Sequence, residues 1–167
     1  MSKPSLGQRA ATLMKISCVF YAFTEHVGCL TLGLGPSMSP ALETGDIMVC
    51  DRVTPRYRPH ILSRGDVVSA LDPCTSRRIL VKRIVGLAGD EFETRNSGSK
   101  TVVPPGHVWL QGDNVDASRD SRDFGPVPMA MILGRNMYVL MPLGRRGPIP
   151  PGEKDSRTSA SDKHQES

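Results

Sequence analysis

Three segments, far apart along the chain, contain residue types that could together carry out a covalent reaction. The first reads P-S-M-S-P over 36–40, where two prolines restrict the backbone around Ser37. The second is an apolar run interrupted by Lys82, and the third is the charged stretch 112–125. A hydroxyl and an amine held side by side would make a nucleophile and its general base.

Lys82 has the most unusual predicted environment of these residues. Side chains alternate along a strand, so Lys82 shares a face with Leu80 and Ile84. Desolvation on an apolar face favours the neutral amine, which is the form that acts as a base near neutral pH. The alternative is an edge-strand lysine whose stem lies on the surface while its ammonium reaches water.

The other two segments also have ordinary explanations when they are taken singly. Segment 36–40 lacks the last glycine of a nucleophile elbow and follows no predicted strand, so it also fits a rigid connector. Stretch 112–125 also fits a charged surface loop with an internal pair between Asp120 and Arg122. Long polar loops often contain functional sites, however, and this one offers Ser118 as a hydroxyl that could orient the lysine.

Composition and charge narrow the class of protein. The chain has 167 residues, 38% of them hydrophobic and 5% aromatic, with 16 Gly and 14 Pro, which indicates one turn-rich domain. The net charge of +4 lies in the ends, 1–15 and 144–167, and leaves 16–143 without net charge. A nucleic-acid partner is therefore not expected, because such a protein carries its basic surplus on the folded body.

Neither a metal nor another cofactor is expected. The cysteines and histidines show no zinc-ligand spacing; they are Cys18, Cys29, Cys50, Cys74, His26, His60, His107 and His164. The pattern is not a disulfide framework, and the disulfide state of the cysteines stays open at this point.

Short strands between turns must position the three segments. Val-, Ile- and Leu-rich runs predict seven of them, at 47–53, 66–71, 79–85, 91–95, 101–103, 108–111 and 136–141. We therefore expect a mainly β domain over 35–143, with helix mainly at the N-terminus.

The flanks of this domain differ from it in composition. Residues 1–15 are basic, and the apolar run 16–34 is predicted to be a transmembrane helix, because its length matches one membrane span and its N-terminal flank is basic. Glu25 and His26 near its middle argue for the alternative, a helix packed on the domain, because a central carboxylate costs about 2.5–3.5 kcal/mol on insertion scales. Residues 144–167 contain few apolar side chains and are predicted to be a disordered tail.

Together, the three segments resemble the type I signal peptidases, which are serine proteases with a Ser–Lys dyad. The family patterns P-S-M-x-P, K-R-x-x-G-x-x-G-D and G-D-N-x-x-x-S-x-D-S-R-x-F-G appear at 36–40, 82–90 and 112–125, in the family's order. The resemblance implies a compact antiparallel β domain behind a membrane anchor. The short body and the G-P-S-M and G-H-V-W contexts make the chain most similar to the mitochondrial inner-membrane branch.

The resemblance also implies a role for each matching residue. Ser37 would attack the scissile carbonyl to give an acyl-enzyme, and Lys82 would be the general base. Ser118 would hydrogen-bond the lysine amine, and the pair Asp120–Arg122 would hold the loop in shape.

The oxyanion site is where the chain departs from the family pattern. The Ser37 amide would be one donor, but Gly35 stands where well-known bacterial relatives have a serine that supplies a second. A lost donor is worth roughly 3–4 kcal/mol, so we expect a replacement that the sequence does not identify.

The implied function is removal of sorting or signal presequences from precursor proteins exported to the mitochondrial intermembrane space. The enzyme would be anchored in the inner membrane with its catalytic domain facing that space, and would pair with a related second peptidase subunit. One alternative, motivated by Gly35 and Glu25, is a catalytically silent β domain that scaffolds a partner peptidase. Another is a soluble self-cleaving repressor-type protease, but no DNA-binding domain precedes Ser37.

Overall fold

The computed structural model describes residues 6–26, 28–75, 78–95 and 98–150. A helix, α1 (Leu6–His26), precedes a β domain with two short helices, α2 (Val53–Tyr57) and α3 (Ser121–Phe124). The strands are β1 (Gly28–Leu32), β2 (Ile47–Asp51), β3 (Val67–Leu71), β4 (Ile79–Gly86), β5 (Glu91–Glu93), β6 (Lys100–Val102), β7 (His107–Gln111), β8 (Val127–Pro128), β9 (Ile132–Met141) and β10 (Gly147–Pro148). Single 3₁₀ turns occur at Pro36–Met38, Pro59–Ile61, Met129–Met131 and Leu143–Arg145.

One antiparallel sheet forms the body of the domain. Its strand order is β1-β2-β9-β3-β4-β7-β8, and β10 adds to β9. Strands β5 and β6 form a separate two-stranded sheet. The prediction of a mainly β, antiparallel domain behind one N-terminal helix is therefore confirmed.

The core consists of two apolar clusters on this sheet. One is centred on β3, β4 and β7, around Val68, Ile84 and Leu110. The other contains Met38, which directly follows Ser37, and Leu42, and both pack with Met48, Val67 and Val139. Burying a side chain of this size contributes roughly 1.5–3 kcal/mol, so this segment is firmly seated on the sheet.

Each predicted strand segment overlaps an observed strand, with differences of up to four residues at the ends. The prediction missed β1, β8 and β10. The last two have only two residues each, too few for an alternating pattern to be recognised.

The prediction of a single helix over 16–34 is wrong in its second half. Helix α1 ends at His26, and the apolar residues of β1 pair antiparallel with β2 in an unbroken register. A continuous apolar run does not distinguish helix from strand, and here the pairing with β2 satisfies the backbone groups of the segment.

Within the described ranges we find no helix that combines the length and the apolar character of a membrane span. The side chains of Glu25 and His26 lie outside the described residues, as do residues 1–5.

The prediction of a disordered tail over 144–167 is wrong for its first seven residues. The 3₁₀ turn Leu143–Arg145 and strand β10 follow β9 directly, and β10 pairs with β9. Ile149 packs against the second apolar cluster. These tertiary contacts offset the low hydrophobicity of the segment. Residues 151–167 lie outside the described residues.

Candidate active site

Ser37 lies in the first turn that follows β1. It is the middle residue of the 3₁₀ turn Pro36–Met38, where proline presets the helical φ angle. Gly35 precedes this turn with φ +90° and ψ 163°, a conformation that other residues rarely adopt. Ser37 is half-buried, whereas Met38 points into the core.

Lys82 lies in the middle of β4, between β3 and β7 in the sheet. Its side chain is 3% exposed, as expected from its apolar neighbours along the strand. Burial lowers the pKa of Lys82 below its ordinary value; Asp120 nearby opposes this shift, and the positive charge of Arg122 adds to it. The alternative of an edge-strand lysine in water is therefore wrong, because β4 is an inner strand.

The stretch 112–125 folds back onto the nucleophile segment. The backbone N–H of Asn114 donates to the carbonyl oxygen of Ser37 over 3.1 Å. Gly112 lies against the same carbonyl and against the Ser118 hydroxyl, so closely that a Cβ atom would collide with both. Position 112 therefore requires a glycine, because Ser37 and Ser118 leave no space for a Cβ atom.

Several groups of this loop donate hydrogen bonds to Asp120. Its fully buried carboxylate accepts hydrogen bonds from the Ser118 hydroxyl at 2.6 Å and the Gly112 amide at 3.0 Å. Nε and Nη2 of Arg122 donate to its two oxygens at 2.8 and 2.7 Å, a bidentate ion pair. Burial alone would raise the pKa of Asp120, but these hydrogen bonds outweigh it and lower the pKa.

A second ion pair, which the sequence reasoning missed, fastens the loop to β4. Arg83 is 4% exposed, and its Nε and Nη2 donate to the Asp113 carboxylate at 2.8 and 2.6 Å. Its Nη1 donates to the carbonyl oxygen of Gly65 at 2.7 Å. Arg83 belongs to the K-R motif and Asp113 to the G-D-N motif. Their positions next to Lys82 and Asn114 in the sequence could have indicated that they take part in the site.

Ser37 and Lys82 line one cavity of about 800 Å³. Strand β1, the residues after it and the first half of β4 contribute to its lining. The lining includes apolar residues Leu30, Leu32, Leu34, Ile79 and Leu80 and polar residues Ser69, Asp72, Arg78 and Arg119. The structure thus brings together residues of all three sequence-predicted segments, the third through Ala117, Arg119 and Phe124, around an open space that a substrate could fill.

The remaining predicted residues, Ser118, Asp120 and Arg122, are not among the residues that line this cavity. Ser118 is buried and donates its hydroxyl proton to Asp120. The charge of Asp120 acts on Lys82. In the part of the chain that the structure describes, no group of three or more His, Cys, Asp or Glu side chains is placed to hold a metal ion. The four cysteines are free thiols.

A family model described as "Signal peptidase, peptidase S26" matches residues 8–98 and 91–141. The chain belongs to this family. The resemblance of its three motifs to signal peptidases is thereby confirmed.

Relatives of this chain are found among mitochondrial proteins. The chain is 35% identical over 149 residues, 87% of each protein, to "Mitochondrial inner membrane protease subunit 1" of Xenopus tropicalis. It is 38% identical over 144 residues to "Mitochondrial ATP-independent inner membrane protease subunit 1b" of Arabidopsis thaliana, covering 82% of this chain and 84% of that protein. The similarity to the mitochondrial inner-membrane branch is confirmed as well.

The comparison also found one further relative and one similar solved structure. "Mitochondrial inner membrane protease subunit 2" of Danio rerio is 34% identical over 124 residues, covering 73% of this chain and 67% of that protein. A crystal structure of a signal peptidase I from Enterococcus faecalis aligns with 44% of this chain and 95% of its own, at 22% identity and a TM-score of 0.37.

Proposed function

We propose that this signal peptidase family member is a serine endopeptidase that uses Ser37 and Lys82 as a catalytic dyad. The observation that supports this most directly is the shared cavity. A half-buried serine and a buried lysine, brought there by separate elements, line the same space. The lowered pKa of Lys82 makes its neutral, proton-accepting form accessible nearer to neutral pH.

The reaction follows from these two groups. Ser37 Oγ attacks the carbonyl carbon of the scissile peptide bond while Lys82 Nζ takes the hydroxyl proton. The tetrahedral intermediate collapses, the C–N bond breaks, and Lys82 gives the proton to the leaving amine. The neutral lysine then takes a proton from a water molecule, whose oxygen attacks the acyl carbon; the ester C–O bond breaks, Lys82 returns the proton to Ser37 Oγ, and the new carboxylic acid is released and ionises. The Ser37 amide, in the first turn of its 3₁₀ helix, lacks a partner within that helix and donates to the oxyanion.

Ser118 and Asp120 orient the amine in this scheme. A hydroxyl has one proton and two lone pairs, and Ser118 gives its proton to Asp120. Toward Lys82 it can therefore act only as an acceptor. An amine N–H directed at Ser118 leaves the nitrogen lone pair free for the Ser37 hydroxyl. Arg122 keeps Asp120 charged and in place.

The substrate binds as an extended peptide beside β1. Among the described strands, β1 is at the end of the sheet and pairs only with β2, and its residues lead directly to Ser37. Leu30, Leu32 and Leu34 are each more than half exposed. Proteins usually avoid exposed apolar edge strands, because such strands pair with strands of other chains. The same property would allow β1 to bind a peptide by strand addition.

The setting of the reaction is proposed from the relatives. Proteins named as mitochondrial inner membrane protease subunits 1 and 2 both match this chain. We therefore place it at the mitochondrial inner membrane, with the β domain in the intermembrane space and a related second subunit as its partner. Its substrates are precursor proteins that carry a presequence. Apolar side chains of α1 that are more than half exposed, among them Leu13, Val19 and Phe20, suit contact with the lipid.

The test is cleavage of a presequence-bearing precursor by the wild type, Ser37→Ala and Lys82→Ala, with the second subunit present. Loss of each catalytic group should lower kcat on the order of a thousandfold or more. Lys100→Ala is the matched control, because this lysine is exposed on β6. Full activity of both dyad variants would refute the mechanism. The scaffold alternative would be favoured if this subunit had no activity of its own but its partner subunit required it for activity.

A further inference from the structure

Arg145 connects the C-terminal segment to the loop that contains Ser37. Its Nη2 lies 3.3 Å from the carbonyl oxygens of both Pro40 and Ala41, three and four residues after the serine. The same nitrogen lies 3.3 Å from the Asp46 carboxylate, and Nη1 lies 2.8 Å from Glu43. One side chain thus contacts four residues of one loop.

The loop that Arg145 contacts is closed at its base. The Gly33 amide donates to the carbonyl oxygen of Asp46 at 2.8 Å, and the Gly45 amide donates to that of Gly33 at 2.9 Å. Between these points, Met38 and Leu42 are buried in the second apolar cluster. The C-terminal segment adds Ile149 to that cluster, so it contacts the loop through both charge and apolar surface.

Asp46 gives the contact with Arg145 its strength. This carboxylate belongs to a residue that is 1% exposed, and it accepts a hydrogen bond from the Glu43 amide at 2.9 Å. Arg145 supplies the positive charge facing it. A buried carboxylate that loses its cation is strongly destabilising, so the loop is expected to rearrange to rehydrate Asp46 when Arg145 is removed.

We infer that Arg145 is a positioning residue for Ser37: it holds the loop 33–46 in the conformation that presents the serine to Lys82. The effect of Arg145 on catalysis rests on the proposed function, in which Ser37 is the nucleophile. A displacement of about 1 Å at a nucleophile can cost on the order of a hundredfold in rate. Arg145 lies outside the three family motifs and within the segment that the sequence predicts to be disordered.

The first experiment measures precursor cleavage by Arg145→Ala, Arg145→Lys and Arg146→Ala at a temperature where all are folded. Arg146 is the matched control, because it is the next residue and is exposed. We expect Arg145→Ala to lower kcat at least tenfold with KM within twofold, since the peptide binds at β1. The lysine variant should recover part of kcat, because it restores a charge beside Asp46. The pH midpoint set by Lys82 should not move.

The second experiment does not depend on activity. Amide hydrogen exchange at Ser39 and Leu42, whose N–H groups donate to Pro36 and Met38, should accelerate in Arg145→Ala and not in Arg146→Ala. Unchanged exchange, or a kcat within twofold of wild type, would overturn the inference. If Arg145→Ala does not fold, Arg145→Lys provides the same two comparisons, with a smaller expected effect of about threefold on kcat. An inactive wild type with accelerated exchange in the variant would refute the proposed function and leave the positioning role intact.

Discussion

The backbone N–H of Asn114 donates to the carbonyl oxygen of Ser37 over 3.1 Å. This bond joins the first and the third motif directly, through main-chain atoms. The nucleophile segment therefore has a fixed position relative to the loop that contains Ser118 and Asp120. Gly112 makes the approach close enough, because any larger residue would push these two segments apart.

Replacing Gly112 by alanine should separate the nucleophile from its base. The added methyl group collides with the Ser37 carbonyl and the Ser118 hydroxyl, and a backbone atom cannot move aside as a flexible side chain can. We expect kcat for precursor cleavage to fall at least a hundredfold. The control is Gly7→Ala, because Gly7 lies in α1 with open space around it. Equal activity of the two variants would contradict the proposed contact between motifs.

Cleavage should become faster as pH rises through the pKa of Lys82. Only the neutral amine accepts the Ser37 proton, and burial lowers its pKa from 10.5, so the midpoint of the increase should lie below 10.5. Arg122 contributes to the lowering, so Arg122→Gln should move the midpoint upward. The measurement is kcat/KM against pH with a short peptide substrate. A midpoint at or above 10.5 in the wild type would exclude a desolvated lysine base.

Lys82→Met should abolish cleavage and yet stabilise the fold at neutral pH. Between the lowered pKa and 10.5, the unfolded chain binds a proton at Lys82 more readily than the folded chain does. The contribution of Lys82 to the free energy of unfolding is therefore fully present above pH 10.5. It is lost as the pH falls from 10.5 to the lowered pKa. Methionine has a similar shape and no charge to desolvate. Thermal unfolding at pH 7 checks the prediction, and a lower Tm for the variant would contradict it.

Asp120→Asn should destabilise the protein by about 3 kcal/mol, because it leaves a largely buried Arg122 guanidinium without its anion. Arg64→Ala is the control; it breaks an exposed pair with Asp90 and should cost less than about 1 kcal/mol. Denaturant unfolding measures both. Because the pKa of Asp120 is lowered, its stabilising effect should be present above the ordinary pKa of 3.8 and be lost as pH falls through the lowered value. Similar costs for the two variants would show that the buried pair has no special weight.

The sequence by itself pointed to the chemistry that we propose. Ser37, Lys82 and the loop 112–125 stand out by residue type, and the apolar alternation around Lys82 predicted both a strand and a dry amine. The seven predicted strands were recognised because runs of Val, Ile and Leu between turn residues are a local property of the chain. The family resemblance followed from the order of three short motifs, which is also read along the chain.

Only the tertiary structure decided which segments belong to the site. The apolar run after His26 becomes β1 because β2 offers it a partner, and no local pattern distinguishes that outcome from a longer helix. Arg145 and Ile149 become part of the domain because Asp46 and the second apolar cluster face them. The physical reason is the same in each case. Burial and strand pairing each need two segments, and they stabilise the fold only once the chain has brought both segments together.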